Sequence, residues 1–202
     1  MPIAGYILTA IAAYLLGSIP TGFLVAKAKG IDIRTIGSGN IGATNVLRAL
    51  GKPAGVFVLV VDALKGWLAV TLVALLFRDW DAGRIIAGVA AILGHNYTCW
   101  LHFKGGKGIA TSAGVLVALV PWALLAGLGV WIIVFILSRY VSLASICACA
   151  AIPIAAWLNK ESITRIIVTA ALAALAIYKH KANIRRLLEG TENRFGAPKQ
   201  AS

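Results

Sequence analysis

The fold is decided by a run of 25 residues from Pro53 to Phe77, which reads PAGVFVLVVDALKGWLAVTLVALLF. About 20 apolar residues in a helix span the ~30 Å hydrocarbon core of a bilayer, so this run is long enough to cross a membrane. Its two charged residues, Asp62 and Lys65, lie one helical turn apart on one face and can pair. Charges at this depth face protein or a water-filled cavity. The pair either fixes helix packing or forms the floor of a polar site entered from the cytoplasm.

The whole chain shares this apolar character. Of its 202 residues 60% are hydrophobic and 13% charged, and the mean hydropathy is +0.88. These values are typical of an integral membrane protein.

The net charge of the chain, +12, suits anionic lipid headgroups or an anionic substrate. Nucleic acid is not expected as a partner, because no soluble domain offers a binding face. The three cysteines form no C-x-x-C motif and are interpreted as small apolar residues.

The hydropathy pattern predicts an all-α polytopic membrane protein with seven transmembrane helices, some of them short or broken. The predicted spans are 3–26, 53–77, 85–101, the two halves of 109–137, 141–158 and 163–178. The run 109–137 is divided at Pro121, because proline favours a turn there and two spans return the later basic segments to the inner side. Residues 1–192 are predicted to form one membrane domain, followed by a polar tail over 193–202.

Charge sets the predicted orientation. Lys27, Lys29 and Arg34 follow the first span, which places that end in the cytoplasm and the N-terminus outside. With seven spans the C-terminus is cytoplasmic. Fourteen of the 19 Lys and Arg residues, Lys199 among them, then lie on the inner side.

A small, polar, glycine-rich stretch, Gly37–Asn45 (GSGNIGATN), lies between two apolar runs. Glycine allows turns with positive φ, and successive backbone N–H groups in such a turn can hold an anion. A helix that starts near Ala43 would add its N-terminal dipole and the side chain of Arg48. The spacing G-x-G-x-x-G does not indicate a dinucleotide site here, because no βαβ unit surrounds it, and the lysine of a P-loop is missing. A turn without a ligand remains the alternative.

A second glycine-rich loop, His102–Gly108 (HFKGGKG), carries two lysines suited to phosphate. His95, two turns earlier, is more often a packing residue than a catalyst in such a position. A third basic segment, Lys179–Leu188, is predicted to be an interfacial helix. The topology brings these segments to the inner face. The sequence shows no carboxylate pair spaced for magnesium and no histidine cluster for zinc, so a metal-free phosphate site without a cofactor is expected.

Taken in order, these segments resemble the motif set of the bacterial acyl-phosphate-dependent glycerol-3-phosphate acyltransferase family. The matching motifs are 17–20 (GSIP), 38–45 (SGNIGATN), 62–66 (DALKG), 94–95 (GH), 103–111 (FKGGKGIAT), 140–145 (YVSLAS) and 180–192 (HKANIRRLLEGTE). Each motif is weak alone, and the ordered set is specific. Lys181 stands where arginine is usual in the family, so it is left out of the predicted site.

The resemblance implies the reaction and its setting. An acyl group passes from acyl phosphate to the 1-hydroxyl of sn-glycerol 3-phosphate, giving 1-acyl-sn-glycerol 3-phosphate (lysophosphatidate) and inorganic phosphate, the first acylation of bacterial phospholipid synthesis. The enzyme is expected in the inner membrane, with its active site at the cytoplasmic face and the acyl tail in lipid or in an apolar groove. The enzyme that supplies acyl phosphate is a further expected partner.

The resemblance also implies the site. The predicted catalytic residues are Lys104, Ser142, His180 and Asn183. The predicted substrate-binding residues are Ser38, Gly39, Asn40, Gly42, Ala43, Thr44, Asn45, Arg48, Gly105, Gly106, Lys107 and Gly108. The first loop would hold a phosphate through backbone N–H groups, with Arg48, Lys104 and Lys107 balancing phosphate charge. Ser142, His180 and Asn183 would position the hydroxyl or stabilise the developing oxyanion.

The general base is left open between His180 and a substrate phosphate. No H-x4-D motif follows any of the three histidines, so the acid/base pair of the acyl-CoA and acyl-carrier acyltransferases is absent. A transporter of organic phosphate is the alternative function, because it would use the same basic pocket. A CDP-alcohol phosphotransferase is less favoured, since it would need several aspartates for metal and only Asp62 lies in the membrane.

Overall fold

The structure is a computed structural model that describes residues 2–196, and over this range every regular element is a helix. The α-helices are α1 Ile3–Ser18, α2 Thr21–Lys27, α3 Ala43–Leu50, α4 Lys52–Leu76, α5 Asp81–Asn96, α6 Ile109–Leu119, α7 Pro121–Ser138, α8 Val141–Leu158, α9 Ile163–Lys179 and α10 Lys181–Leu188. Two 3₁₀ turns cover Ile33–Thr35 and Cys99–Leu101. The predicted all-α fold is confirmed. Lys199 and the rest of the predicted tail beyond residue 196 lie outside the described residues.

Four segments of the described chain are long and apolar enough to cross a membrane: α1 with α2, α4, α7 and α8. The pair α9 and α10, bent by 57°, makes a possible fifth. Helix α5 has 16 residues and α6 only 11, which is short for a ~30 Å core. A polytopic membrane protein is therefore confirmed, while the count of seven spans and the orientation stay predictions.

Proline and glycine set the helix boundaries. The run 109–137 forms two helices, as predicted, and α7 begins at Pro121. Proline is favourable there because the first turn of a helix needs no N–H donor. Pro53 lies in the first turn of α4 for the same reason. Gly51 joins α3 to α4 with φ of +88°, a conformation that L side chains rarely adopt.

The chain divides after Leu119 into two compact units. In the first unit, helices α1, α4, α5 and α6 pack closely because small residues lie between them. A Cβ added to Gly17 would overlap the carbonyl oxygen of Ala91 in α5, and one added to Gly66 would overlap that of Thr111 in α6. Such backbone-to-backbone contact is typical of helix packing in membranes.

The second unit contains α7 to α10. Helix α8 packs against α7 and α9, and the Trp131 Nε1 of α7 donates a hydrogen bond to the Ser145 Oγ of α8 at 3.1 Å. Helix α10 leaves α9 at His180 and contacts both α8 and α9. This bend carries the basic residues of α10 away from the axis of α9.

Candidate functional site

The first glycine-rich loop is organised around the buried amide of Asn45. Its Nδ2 donates to the carbonyl oxygens of Ile33, Ile36 and Asn40 at 3.2, 2.9 and 2.9 Å. Its Oδ1 accepts from the Ser38 N–H at 3.0 Å. Asn45 is predicted to bind substrate, and in this structure its polar atoms hold the loop together.

Other N–H groups of the loop also have partners within it. Gly42 N donates to Asn40 Oδ1 at 2.9 Å, and Gly39 N donates to the Ile36 carbonyl at 3.0 Å. Helix α3 follows directly, and its N-cap residue Gly42 gives no side-chain cap. A phosphate that used the Gly42 N–H would therefore have to replace the amide oxygen of Asn40. The arrangement is a preformed turn in front of a helix N-terminus.

The central position of Asn45 gives a first expected result. In Asn45→Asp an oxygen would face the carbonyls that Nδ2 now binds, so we expect thermal unfolding in detergent to show a loss of more than about 2 kcal/mol. Asn40→Ala removes one part-buried hydrogen bond and should cost about 1 kcal/mol. Equal melting of Asn45→Asp and the parent protein would show that the amide does not organise the loop.

The second glycine-rich loop is folded back on the end of α5. Gly105 N donates to the Asn96 carbonyl at 3.2 Å and Gly106 N to the His95 carbonyl at 3.0 Å. The chain enters the loop through two left-handed residues, His102 and Phe103, with φ of 53° and 61°. Lys104 is exposed, Lys107 is half-buried, and α6 begins directly after Gly108.

A buried polar cluster lies beside this loop. Lys65 Nζ forms an ion pair with Asp62 Oδ1 at 2.8 Å, as the spacing predicts, and also contacts His95 Nδ1 at 2.9 Å. Thr21 Oγ1 donates to Asp62 Oδ1 at 3.0 Å, and Lys65 Nζ donates to the Ile19 carbonyl at 2.8 Å. The Asp62–Lys65 pair and His95 therefore form a single cluster of polar contacts. The sequence alone does not show that His95 belongs to it.

In the second unit, the predicted residues Ser142 and Asn183 share one carboxylate. Glu192 Oε1 accepts from Ser142 Oγ at 2.8 Å and from Asn183 Nδ2 at 2.7 Å. Glu192 Oε2 accepts from Arg186 Nε at 2.7 Å. Burial acts to raise the pKa of Glu192, but these three donors outweigh it and hold the pKa below its usual value of 4.5.

His180 lies at the bend between α9 and α10 and is 3% exposed. Its backbone N–H donates to the Ile177 carbonyl, and its ring Nδ1 is 2.7 Å from the Ala176 carbonyl, which can only accept. The proton is therefore on Nδ1, and Nε2 is the nitrogen that can accept a proton. This is the arrangement that a general base requires.

The predicted site residues are divided between the two units. Both glycine-rich loops lie in the first unit, and Ser142, His180 and Asn183 lie in the second. Sequence reasoning missed Glu192, although it ends the predicted motif that begins at His180. Over residues 2–196, no group of three or more His, Cys, Asp or Glu side chains could hold a metal ion.

Comparison with known proteins gives one family. The family model described as glycerol-3-phosphate acyltransferase matches residues 7–190. A protein of that name from Geotalea daltonii is 52% identical over 185 residues, with 92% of this chain and 95% of the relative covered. One from Geobacter sulfurreducens is 49% identical over 191 residues, with 95% and 97% covered.

Two solved structures have the same fold. The crystal structure of PlsY, an integral membrane glycerol 3-phosphate acyltransferase, in its glycerol 3-phosphate form matches with a TM-score of 0.90 and 43% identity, over 95% of this chain and 96% of that one. Its lysophosphatidic acid form matches with a TM-score of 0.87 and 43% identity, over 95% of each chain.

The helical membrane fold and these relatives define the class of the protein, an integral membrane acyltransferase. The chain belongs to the glycerol-3-phosphate acyltransferase family, as its motifs predicted. The prediction of an enzyme is confirmed, whereas the acyl donor and the roles of individual residues remain to be proposed.

Proposed function

We propose that the protein transfers an acyl group from acyl phosphate to the 1-hydroxyl of sn-glycerol 3-phosphate. One observation carries the proposal: the two matching PlsY structures are a glycerol 3-phosphate form and a lysophosphatidic acid form. These two molecules differ by a single acylation, so they are acceptor and product of one reaction. Both carry a phosphate, and the chain has a net charge of +12 to attract it.

Acyl phosphate is proposed as the donor because its leaving group makes few demands on the protein. The hydroxyl oxygen attacks the acyl carbonyl carbon, a C–O ester bond forms, and the C–O bond to phosphate breaks. Inorganic phosphate leaves with the electron pair, and phosphate needs little help from an acid. The lack of an H-x4-D motif in the sequence agrees with this choice.

The residues are assigned by their chemistry. In the first unit, the loops 38–45 and 104–108 bind phosphate through backbone N–H groups. The charges of Arg48, Lys104 and Lys107 balance the charge of the phosphate. In the second unit, Ser142 and Asn183 are held by Glu192. Ser142, whose only O–H is donated to Glu192, positions the hydroxyl, and Asn183 positions it or stabilises the oxyanion. His180 Nε2 takes the hydroxyl proton, with a substrate phosphate oxygen as the alternative base.

The test uses the purified full chain in detergent with chelator present. Glycerol 3-phosphate and acyl phosphate should give lysophosphatidate and phosphate in equal amounts, as measured by mass spectrometry and a phosphate assay. Product from acyl-CoA but not from acyl phosphate would overturn the proposed donor. Exchange of labelled glycerol 3-phosphate across proteoliposomes without any product would instead support the organic-phosphate transporter.

We further propose that the protein lies in the bacterial inner membrane with both glycine-rich loops and α10 on the cytoplasmic side. Single cysteines at the exposed positions Thr35, His102 and Arg185 should react with an impermeant maleimide only in inverted vesicles. A cysteine at Lys160 should react only in right-side-out vesicles. The parent for these variants lacks Cys99, Cys147 and Cys149. Labelling of Thr35→Cys and Arg185→Cys from opposite sides would overturn this topology.

A further inference from the structure

We propose that His95 is a positioning residue: with the buried Asp62–Lys65 pair, it holds the Lys104–Gly108 loop in the conformation that receives a substrate phosphate. The inference rests on the proposed function, because that function places a phosphate on the loop. It gives a role to a histidine and an ion pair whose function the sequence left open.

One edge of the imidazole is fixed by Lys65. The Lys65 ammonium has three N–H donors, and its three partners are Asp62 Oδ1, the Ile19 carbonyl and His95 Nδ1, all within 2.9 Å. An ammonium has no acceptor, so His95 Nδ1 accepts and the ring proton is on Nε2. Lys65, Asp62 and His95 are 3%, 2% and 5% exposed, so water does not compete for these contacts.

The other edge of the imidazole lies against the loop. A Cβ added to Gly106 would overlap His95 Nε2, so this position has room only for hydrogen. The same histidine accepts the Gly106 N–H on its backbone carbonyl at 3.0 Å. His95 therefore fixes Gly106 twice, through its main chain and through its ring.

The chemistry of the cluster argues for positioning over simple packing. A buried ion pair is costly to desolvate, and well-packed apolar residues often give equal or better stability. Apolar packing does not distinguish the two flipped orientations of an imidazole, whereas Lys65 selects one of them through a directional hydrogen bond. Gly105 and Gly106 separate Lys104 from Lys107, so a shift of this segment moves both phosphate-binding charges. A misplacement of about 1 Å can cost a reaction about 100-fold.

The experiment is a double-mutant cycle between the ring and the glycine. Gly106→Ala should lower kcat/KM about 100-fold, because the new methyl group pushes the loop off the imidazole. His95→Asn keeps an oxygen that can accept from Lys65 but removes the ring over Gly106, and should cost about 10-fold. The double variant should lose no more than Gly106→Ala alone, because the shorter side chain makes room. Independent losses that multiply to about 1,000-fold would overturn the inference.

A matched control separates positioning from packing. Gly114→Ala would overlap the Ala63 carbonyl in the contact between α6 and α4, so it should lower the melting temperature without coupling to His95→Asn. Coupling of the same size at Gly114 would show that His95 acts only through general stability, and would overturn the inference.

A binding measurement keeps this test distinct from the test of the donor. Calorimetry of the folded protein with glycerol 3-phosphate and with inorganic phosphate should show weaker binding of at least one ligand in Gly106→Ala and in His95→Asn. Inactivity of the wild-type protein with acyl phosphate would overturn the proposed function and leave this comparison intact. Unchanged binding of both ligands in both variants would overturn the positioning role.

Discussion

The His180→Ala variant is expected to lose about 10²- to 10⁴-fold of kcat, the usual contribution of a general base. The reason is the ring geometry: Nδ1 donates to the Ala176 carbonyl, so Nε2 is the proton acceptor. Because His180 is buried, thermal unfolding of the variant and of the parent protein is compared first, so that loss of catalysis is separated from loss of fold. Initial rates of phosphate release, with both substrates saturating, measure the effect.

His102→Asn is the matched control for this variant. His102 is exposed and has φ of 53°, a conformation that asparagine tolerates, so its replacement should leave kcat within about two-fold. A drop of only a few-fold in His180→Ala would assign the proton to a substrate phosphate. The protein would then act by positioning and charge stabilisation.

The sequence could predict the helices because their signals are local. Apolar runs of membrane length predict spans, and Pro121 marks the break between α6 and α7. The spacing of Asp62 and Lys65 likewise predicts their pairing. The sequence could not predict that His95, which lies 30 residues after Lys65, completes the cluster. No periodic pattern in this sequence encodes that contact between two different helices.

The candidate site shows the same limit. The family resemblance predicts that Asn45 binds substrate, and an amide suits phosphate and hydroxyl groups. In the structure three backbone carbonyls, of Ile33, Ile36 and Asn40, surround its Nδ2, so this nitrogen joins the loop to the residues before it. Glu192 ends the motif 180–192, but nothing in the sequence marks it as a hydrogen-bond acceptor for site residues. Its partner Ser142 is 50 residues away in the sequence, on another helix.

Removal of the Glu192 carboxylate is expected to have the second large effect. Glu192→Ala would leave the Ser142 hydroxyl, the Asn183 amide and the Arg186 guanidinium without their shared acceptor. We expect a loss of about 3 kcal/mol or more in the free energy of unfolding. Activity of the remaining folded protein should fall about 100-fold, because two positioning groups lose their orientation.

Glu189→Gln is the control for this variant, since the exposed ion pair between Glu189 and Arg185 should contribute less than about 1 kcal/mol to the stability of the fold.

The pH dependence of stability isolates the charge of Glu192 from its shape. Because its pKa in the folded protein is below the usual value of 4.5, Glu192 stabilises the fold above that pH, and this stability is lost as the pH falls through the folded pKa. Glu192→Gln keeps an oxygen for Ser142 and Asn183 but cannot titrate. Its melting temperature should therefore change less than that of the parent protein between about pH 3 and 6. Parallel curves for the two proteins would mean that the pKa of Glu192 is the same in the folded and the unfolded protein, and would contradict a net stabilising effect of its charge.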